Sequence, residues 1–321
     1  MSSQFIRSAA LIVSPGVRSG NNPSAFQPAG GDGIDLSSLR FTFKTVQQDV
    51  ESPNNCSIRV YNPSPATVRK ILGEYTRVTL QAGYGKHPGI IFDGTVIQFR
   101  TGRESPTTTY LDILAADGDI PYNQAFVSTT LAARSRPEDR VASALSAKVK
   151  LGATQGYLMP FTGGILPRGK VLFGMARAVI RSEAQNQGAS WNINNGAINV
   201  VPLDGYLPGE AVVLNAGTGL IGMPEQTNEG MRCKCLLNPR IEVGGLVQID
   251  NKLVNQTLQA AQGFAPIQYN QYSVVHLATI TADGLYRVYV AEHEGDSRGQ
   301  AWYTSLICLA VDNSTKKVQA P

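Results

Sequence analysis

Apolar and polar positions alternate with a period of two through much of the first 115 residues, which predicts half-buried β-strands. Leu39, Phe41 and Phe43 alternate with Arg40, Thr42 and Lys44. Ile58–Tyr61, Arg77–Leu80, Gly94–Phe99 and Thr108–Leu114 continue the pattern, with turns rich in Gly, Pro and Asp between them. One short helix interrupts these strands: Ser64 can cap it, Pro65 suits its first position, and Val68, Ile71 and Leu72 share a face. Gly20–Gly33, rich in Gly, Pro, Asn and Ser, reads as a long loop or arm.

The pattern changes between residues 116 and 205. Ser135 followed by Glu138 forms a capping-box pattern, Pro137 stands near the helix start, and Val141, Ala144, Leu145 and Val149 recur at helical spacing. A second helix is predicted within Val171–Gln187, ending at Gly188. Trp191–Ile193 and Ile198–Val200 flank Asn194-Asn195-Gly196, and Asn-Gly between alternating segments signals a hairpin. Period-two strands return after residue 206, at Ala211–Leu214, Met231–Leu237, Leu246–Ile249, Val274–Ile280, Leu285–Ala291 and Trp302–Val311.

Thr109–Asp119 can be laid on Tyr286–Asp296 without gaps, each an alternating strand ending in an acidic residue, Gly and Asp. Candidate strands precede both. The expectation is a duplicated β-domain split by a small α+β module. The fold class predicted is therefore mainly β, with residues 1–115 and 206–321 as β-barrel or sandwich domains and 116–205 as a helix-plus-hairpin insert.

Composition narrows the function classes. The chain has 321 residues, 42% hydrophobic and 16% charged, with a net charge of +4. That is enough to bury sizeable cores, and the low charge is common on surfaces that subunits cover. No Lys/Arg block reads as a nucleic-acid arm. No apolar run approaches the ~20 residues of a membrane helix. Phe5-Ile6 and Leu11-Ile12-Val13 are broken by Arg7 and too short for a secretory signal, so folding in a cytoplasm is expected, and the glycosylation patterns at Asn55, Asn255 and Asn313 are chance matches. The cysteines Cys56, Cys233, Cys235 and Cys308 read as buried reduced thiols, because C-x-C lacks the second pair a structural zinc wants.

Candidate chemistry is sparse. Gly217–Gly222 satisfies G-x-G-x-x-G, but Met223–Gly230 is too short and broken to be the helix that faces a pyrophosphate, so a turn between strands is expected. His87 lies in a turn and His276 in a strand, while His293 stands between Glu292 and Glu294 near Asp296, as a local acidic cluster would. Glycan cleavage needs two carboxylates across a cleft. Asp117 with Asp119, and Glu294 with Asp296, sit beside Gly in predicted turns, where solvated carboxylates would tie down the backbone. No residue is assigned a catalytic, cofactor-binding or metal-binding role, and the chain is expected not to be an enzyme.

Five segments resemble a known family. Tyr206–Leu214, Thr218–Pro224 with Gln226-Thr227, and Arg232 with Cys235–Ile241 and Gly244-Gly245 look like the C-terminal half of bacteriophage baseplate hub proteins. His293–Gly299 with Trp302-Tyr303-Thr304 and Cys308 is similar to the family's final hairpin, and Trp191–Ile198 to the hairpin of its inserted module. The resemblance implies two tail-tube-like β-domains per chain, no cofactor, and a homotrimeric ring of pseudo-sixfold symmetry. That ring would join a hexameric tail tube to a trimeric central spike at the tail tip of the virion. Tape-measure and baseplate wedge proteins are further implied partners. DNA would pass the lumen without specific binding, and no stable membrane insertion is implied. Asn238-Pro239 and Gly244-Gly245 would be strand connections that set the ring's geometry. A tail-associated peptidoglycan hydrolase, or another adaptor or tube-terminating protein of the tail, are the competing readings.

Overall fold

The computed structural model describes residues 6–15, 33–85, 88–227, 230–249 and 284–311. Residues 20–32 of the expected arm, His87, His276, the expected strand Val274–Ile280, and Asn255 and Asn313 lie outside these. The protein is mostly β. Strands β1 (Arg7–Ser14), β2 (Ile34–Asp35), β3 (Phe41–Gln48), β4 (Asn55–Tyr61), β5 (Arg77–Tyr84), β6 (Gly89–Ser105) and β7 (Thr108–Ala116) come first, with helix α1 (Pro65–Glu74) between β4 and β5. Strands β13 (Val212–Leu214), β14 (Leu220–Thr227), β15 (Gly230–Leu236), β16 (Leu246–Ile249), β17 (Leu285–Asp296) and β18 (Trp302–Ala310) come last.

These two sets form one 13-stranded sheet with the path β14-β15-β18-β17-β3-β4-β7-β6-β5-β1-β2, and β13 joins through β16 to β17. The seam is the antiparallel pairing of β3 with β17, in which Thr45 lies opposite His293 and Lys44 opposite Glu294. Sequence periodicity predicted most strands of both sets but not their fusion. Alternation says which face of a strand is buried and carries no information on which strand lies beside it.

Three apolar clusters lie behind the strands and within the insert. The first holds Leu11, Phe41, Ile58, Leu80, Phe92 and Leu111, with Leu237 and Trp302 reaching in from the later strands. Trp302 meets Phe43 edge to face, ring centroids 5.5 Å apart. The second holds Val141, Leu145, Ile180, Trp191, Ile193 and Val200. The third holds Met231, Cys233, Cys235, Tyr286, Leu306 and Cys308.

Between the two strand sets the chain builds α2 (Asp119–Gln124), β8 (Phe126–Leu131), α3 (Pro137–Val149), β9 (Thr154–Leu158), β10 (Lys170–Met175), α4 (Ala176–Asn186), β11 (Ala189–Asn194) and β12 (Ala197–Pro202). The Asn-Gly hairpin forms as expected, with Asn195 at φ 49° and Gly196 at φ 78°. Arg140 and Glu183 tie α3 to α4 by two hydrogen bonds of 2.6 and 2.8 Å. Lys148 is fully buried, its Nζ 4.4 Å from the centre of the Trp191 ring, and burial and then Arg177 push its pKa down to about 8.

Several local expectations shift. The expected helix within Val171–Gln187 is shorter: Lys170–Met175 is a strand paired with β8, and the helix starts at Ala176. The capping box moves by one residue. Pro137 forces Arg136 to be extended (ψ 168°), so Arg136 takes the cap position and its N–H donates to Asp139, 2.7 Å away, in place of the Ser135–Glu138 pair. Leu72 is 50% exposed, because the face of α1 that packs inward is centred on Ile71.

Candidate functional site

Where the seam meets the insert, one buried ion pair joins three parts of the chain. Asp49 follows β3 and its N–H donates to the Tyr289 carbonyl of β17 (3.0 Å). Its carboxylate pairs with Arg287, the two side chains being 3% and 5% exposed. Arg287 Nη1 also donates to the carbonyls of Pro202 (2.7 Å), Leu203 (3.1 Å) and Gly205 (2.8 Å) at the exit of the insert. From β11, Asn192 Nδ2 donates to Asp49 Oδ1 (2.7 Å) and Ser190 Oγ lies 3.2 Å from Oδ2. A desolvated pair of this kind sets orientation more than it adds stability.

A second contact fixes the entry of the insert. Asn54 Nδ2 donates to the Ile193 carbonyl (2.9 Å), and the Asp117 N–H donates to the Asn54 carbonyl (2.9 Å). The Gly196 N–H donates to Asp117 Oδ1 (2.8 Å). Gly118 sits at φ +67°, and a Cβ there would lie 2.6 Å from the Ile193 side chain, so glycine is required both by conformation and by space. Asp117 is 1% exposed, which corrects the expectation of a solvated turn carboxylate. Burial pushes its pKa up to about 7 against the pull of the Gly196 N–H.

The other candidates have structural partners. Asp296, also expected to be solvated, is held by Arg40 through bonds of 3.3 and 2.7 Å and accepts the Arg298 N–H (2.9 Å), while Glu294 is exposed. Asp119 opens α2 and accepts from Asn123 (2.8 Å). No acidic cluster gathers around His293 among the described residues. Alternation turns Glu292 outward to pair with Lys44, while His293 is 1% exposed and shares a 2.9 Å hydrogen bond with Thr304. Burial pushes the His293 pKa down to about 4. Gly217–Gly222 is a turn closed by Asn215, whose Oδ1 accepts the Gly217 N–H (2.8 Å), and it runs into β14. All four cysteines are free and buried, and no group of three or more metal-ligating side chains occurs among the described residues.

Two features face outward. A groove of about 500 Å³ on β14, β15, β18 and β17 is lined by Ile221, Met223, Arg232, Lys234, Glu292 and Ile307. In the β15–β16 connection, Pro239 seats against the first strand set so closely that a Cβ on Gly89 would lie 2.6 Å from its ring. The sequence reading missed Asp49, Asn54, Arg40 and Arg287. A faint signal existed for Arg287, a charge inside a run whose neighbours Tyr286 and Val288 are both apolar. Asp49 carried none, since an Asp after a strand is an ordinary turn residue.

No family model matches the chain, and no curated protein matches it. Solved structures do. A 43 kDa tail protein of prophage MuSo2 from Shewanella oneidensis superposes with a TM-score of 0.55 at 7% identity, over 98% of this chain and 100% of that one. A tail protein from Neisseria meningitidis MC58 gives 0.53 at 9% identity, over 94% and 96%. An E. coli component of the type VI secretion system, described as similar to the T4 tail proteins gp27 and gp5, gives 0.54 at 9% identity, over 88% and 76%. The chain therefore shares the fold of these tail and secretion-system proteins.

Proposed function

We propose that the chain is a structural, non-enzymatic baseplate hub subunit of a phage tail. Three copies close a ring of pseudo-sixfold symmetry, with residues 1–115 and 206–321 as its two tube-like units and 116–205 inserted between them. The ring joins a hexameric tail tube to a trimeric spike at the tip of the virion, after assembly in the host cytoplasm, and borders tape-measure and wedge proteins. The observation that carries this reading is the β3–β17 seam. Two strand sets already run side by side in one sheet within a single chain, which is the contact a ring of such units repeats from neighbour to neighbour.

The charge pattern supports a channel that passes DNA without holding it. Along the outward side of the sheet, cations meet acids across strands: Lys44 with Glu292, Arg59 with Asp112, Arg40 with Asp296. Paired cations release few counterions and bind a polyanion weakly. Mass measurement of the purified assembly tests the stoichiometry. A trimer is expected, and a hexamer or persistent monomer rejects the hub. A zymogram in which the chain clears peptidoglycan, lost in Asp296→Asn, would reject the non-enzymatic half.

A further inference from the structure

The insert presents an apolar face that no described part of the chain covers. β8 and β10 form a two-stranded ribbon, and Val127 and Leu172 on its inner side pack into the insert core. The register sets Phe126 opposite Met175, Ser128 opposite Phe173 and Thr130 opposite Val171, so the outer side carries no charge. Phe173 is 77% exposed, Val171 69% and Phe126 48%, and the two Phe rings meet edge to face at 4.9 Å. Basic side chains gather at one end of the ribbon. The Arg134 N–H donates to the Leu166 carbonyl (2.7 Å), and Lys170 lies opposite Leu131, which brings Arg134, Arg168 and Lys170 together. All three are exposed, and none forms an ion pair with another described residue.

A complementary surface lies elsewhere on the same chain. Leu203 is 65% exposed and Val213 46%, and between them Asp204 and Glu210 are exposed, with Glu242 exposed in the neighbouring connection. The Leu207 N–H donates to the Gly244 carbonyl (2.7 Å), holding this segment against that connection. Arg240 approaches Glu210 no closer than 4.0 Å. The two surfaces sit at opposite ends of α4. Met175 of the ribbon precedes its first turn, while the Leu203 N–H donates to Gly188 beyond its last (2.9 Å). Eleven helical residues span about 16 Å, so one surface does not reach round to cover the other.

We propose that the basic, aromatic β8–β10 ribbon of one chain seats on the acidic, apolar 203–213 segment of the next copy. The inference rests on the ring reading above and names its contact. Exposed aromatic side chains at the centre of a patch with charges at its rim are the usual layout of a specific interface. Opposite rim charges select the partner and orient it. Because the two halves differ, the contact is head to tail, and repetition by a third of a turn closes it into a ring of three.

Charge exchange tests it on the full chain. Arg168→Glu with Lys170→Glu, and separately Asp204→Lys with Glu210→Lys, are expected to lower the trimer fraction at least tenfold at a concentration where the wild type is half assembled. Combining all four reversals in one chain is expected to restore assembly, because every contact of the trimer is then matched again. A mixture of the two reversed chains keeps one like-charge contact in each three-membered ring and is expected to recover only in part. Phe173→Ser, at a position exposed enough to leave the fold intact, is expected to lower it as well. Near-ultraviolet circular dichroism confirms that each variant is folded. A trimeric wild type whose folded variants assemble unchanged overturns the seat and leaves the ring standing. Folded variants that stay trimeric yet lose binding to a spike or tube protein give the ribbon another occupant and also overturn it. A wild type that remains monomeric at every concentration overturns both.

Discussion

Asp117 and His293 are buried groups whose titrations act on stability in opposite directions. Burial raises the Asp117 pKa from 3.8 to about 7, so its contribution is fully present below pH 4 and is lost as pH rises towards 7. Burial lowers the His293 pKa from 6.5 to about 4, so its contribution is present above pH 6.5 and is lost as pH falls towards 4. At about 1.4 kcal/mol per unit of pKa, Asp117 is worth at most about 4.5 kcal/mol and His293 at most about 3.5 kcal/mol, and in the wild type they largely cancel. Asp117→Asn is expected to unmask the His293 effect, with a urea midpoint lower at pH 5 than at pH 7.5. His293→Gln is expected to show the reverse slope. Parallel slopes in the two variants would contradict the assignment. Neither burial was legible beforehand: Asp117 looks like a turn residue in sequence, and what buries it is a hairpin turn about 80 residues away.

At the scale of elements, the insert is docked by the Asp49–Arg287 pair. Arg287→Met leaves the Asp49 carboxylate buried beside Asn192 and Ser190, and is expected to cost about 3–5 kcal/mol. Asp49→Leu with Arg287→Met is expected to recover most of that loss, because apolar groups of similar size replace a buried pair at little net cost. Hydrogen exchange in β11 and β12 should quicken in the single variant and slow again in the double. Equal exchange in both would place the docking energy elsewhere. Most elements were readable from their own residues. Helix α1 begins where Ser64 and Pro65 place it, with the Thr67 N–H donating to Ser64 Oγ (3.1 Å). β1, β2, α2, β8, β9, β10 and β14 were not, and for two of them the reason is physical. β10 exposes its large apolar residues and buries few, so its pattern resembles a helix face, and β14 is broken by Gly222 and Pro224 at a bulge.

At the scale of the whole molecule, the three apolar clusters make the thiols reporters of global opening. Cys56 and Cys235 have pKa values pushed up to about 12 by burial, and the Cys308 thiol is raised by its hydrogen bond with Cys233 and by burial. Maleimide labelling of the native chain at pH 7 is therefore expected to be slow at all four, and in denaturant the four are expected to appear together. A thiol that reacts early at the rate of a free cysteine would show that its cluster opens by itself. Cys56 belongs to the first cluster and Cys233, Cys235 and Cys308 to the third, so mass analysis of partly labelled chains distinguishes the two.

The sequence by itself determined the β-rich class, most strand positions, α1, α3 and the hairpin of the insert. These follow from side-chain period, caps and turn residues that act over a few neighbours. The tertiary structure decided what depends on residues far apart. It put β3 beside β17, closed Arg287 onto Asp49 across 238 positions, and brought Asp117 under the hairpin turn. It also left the β8–β10 ribbon uncovered, since whether an apolar face is buried depends on what else packs against it, and periodicity alone does not specify that neighbour.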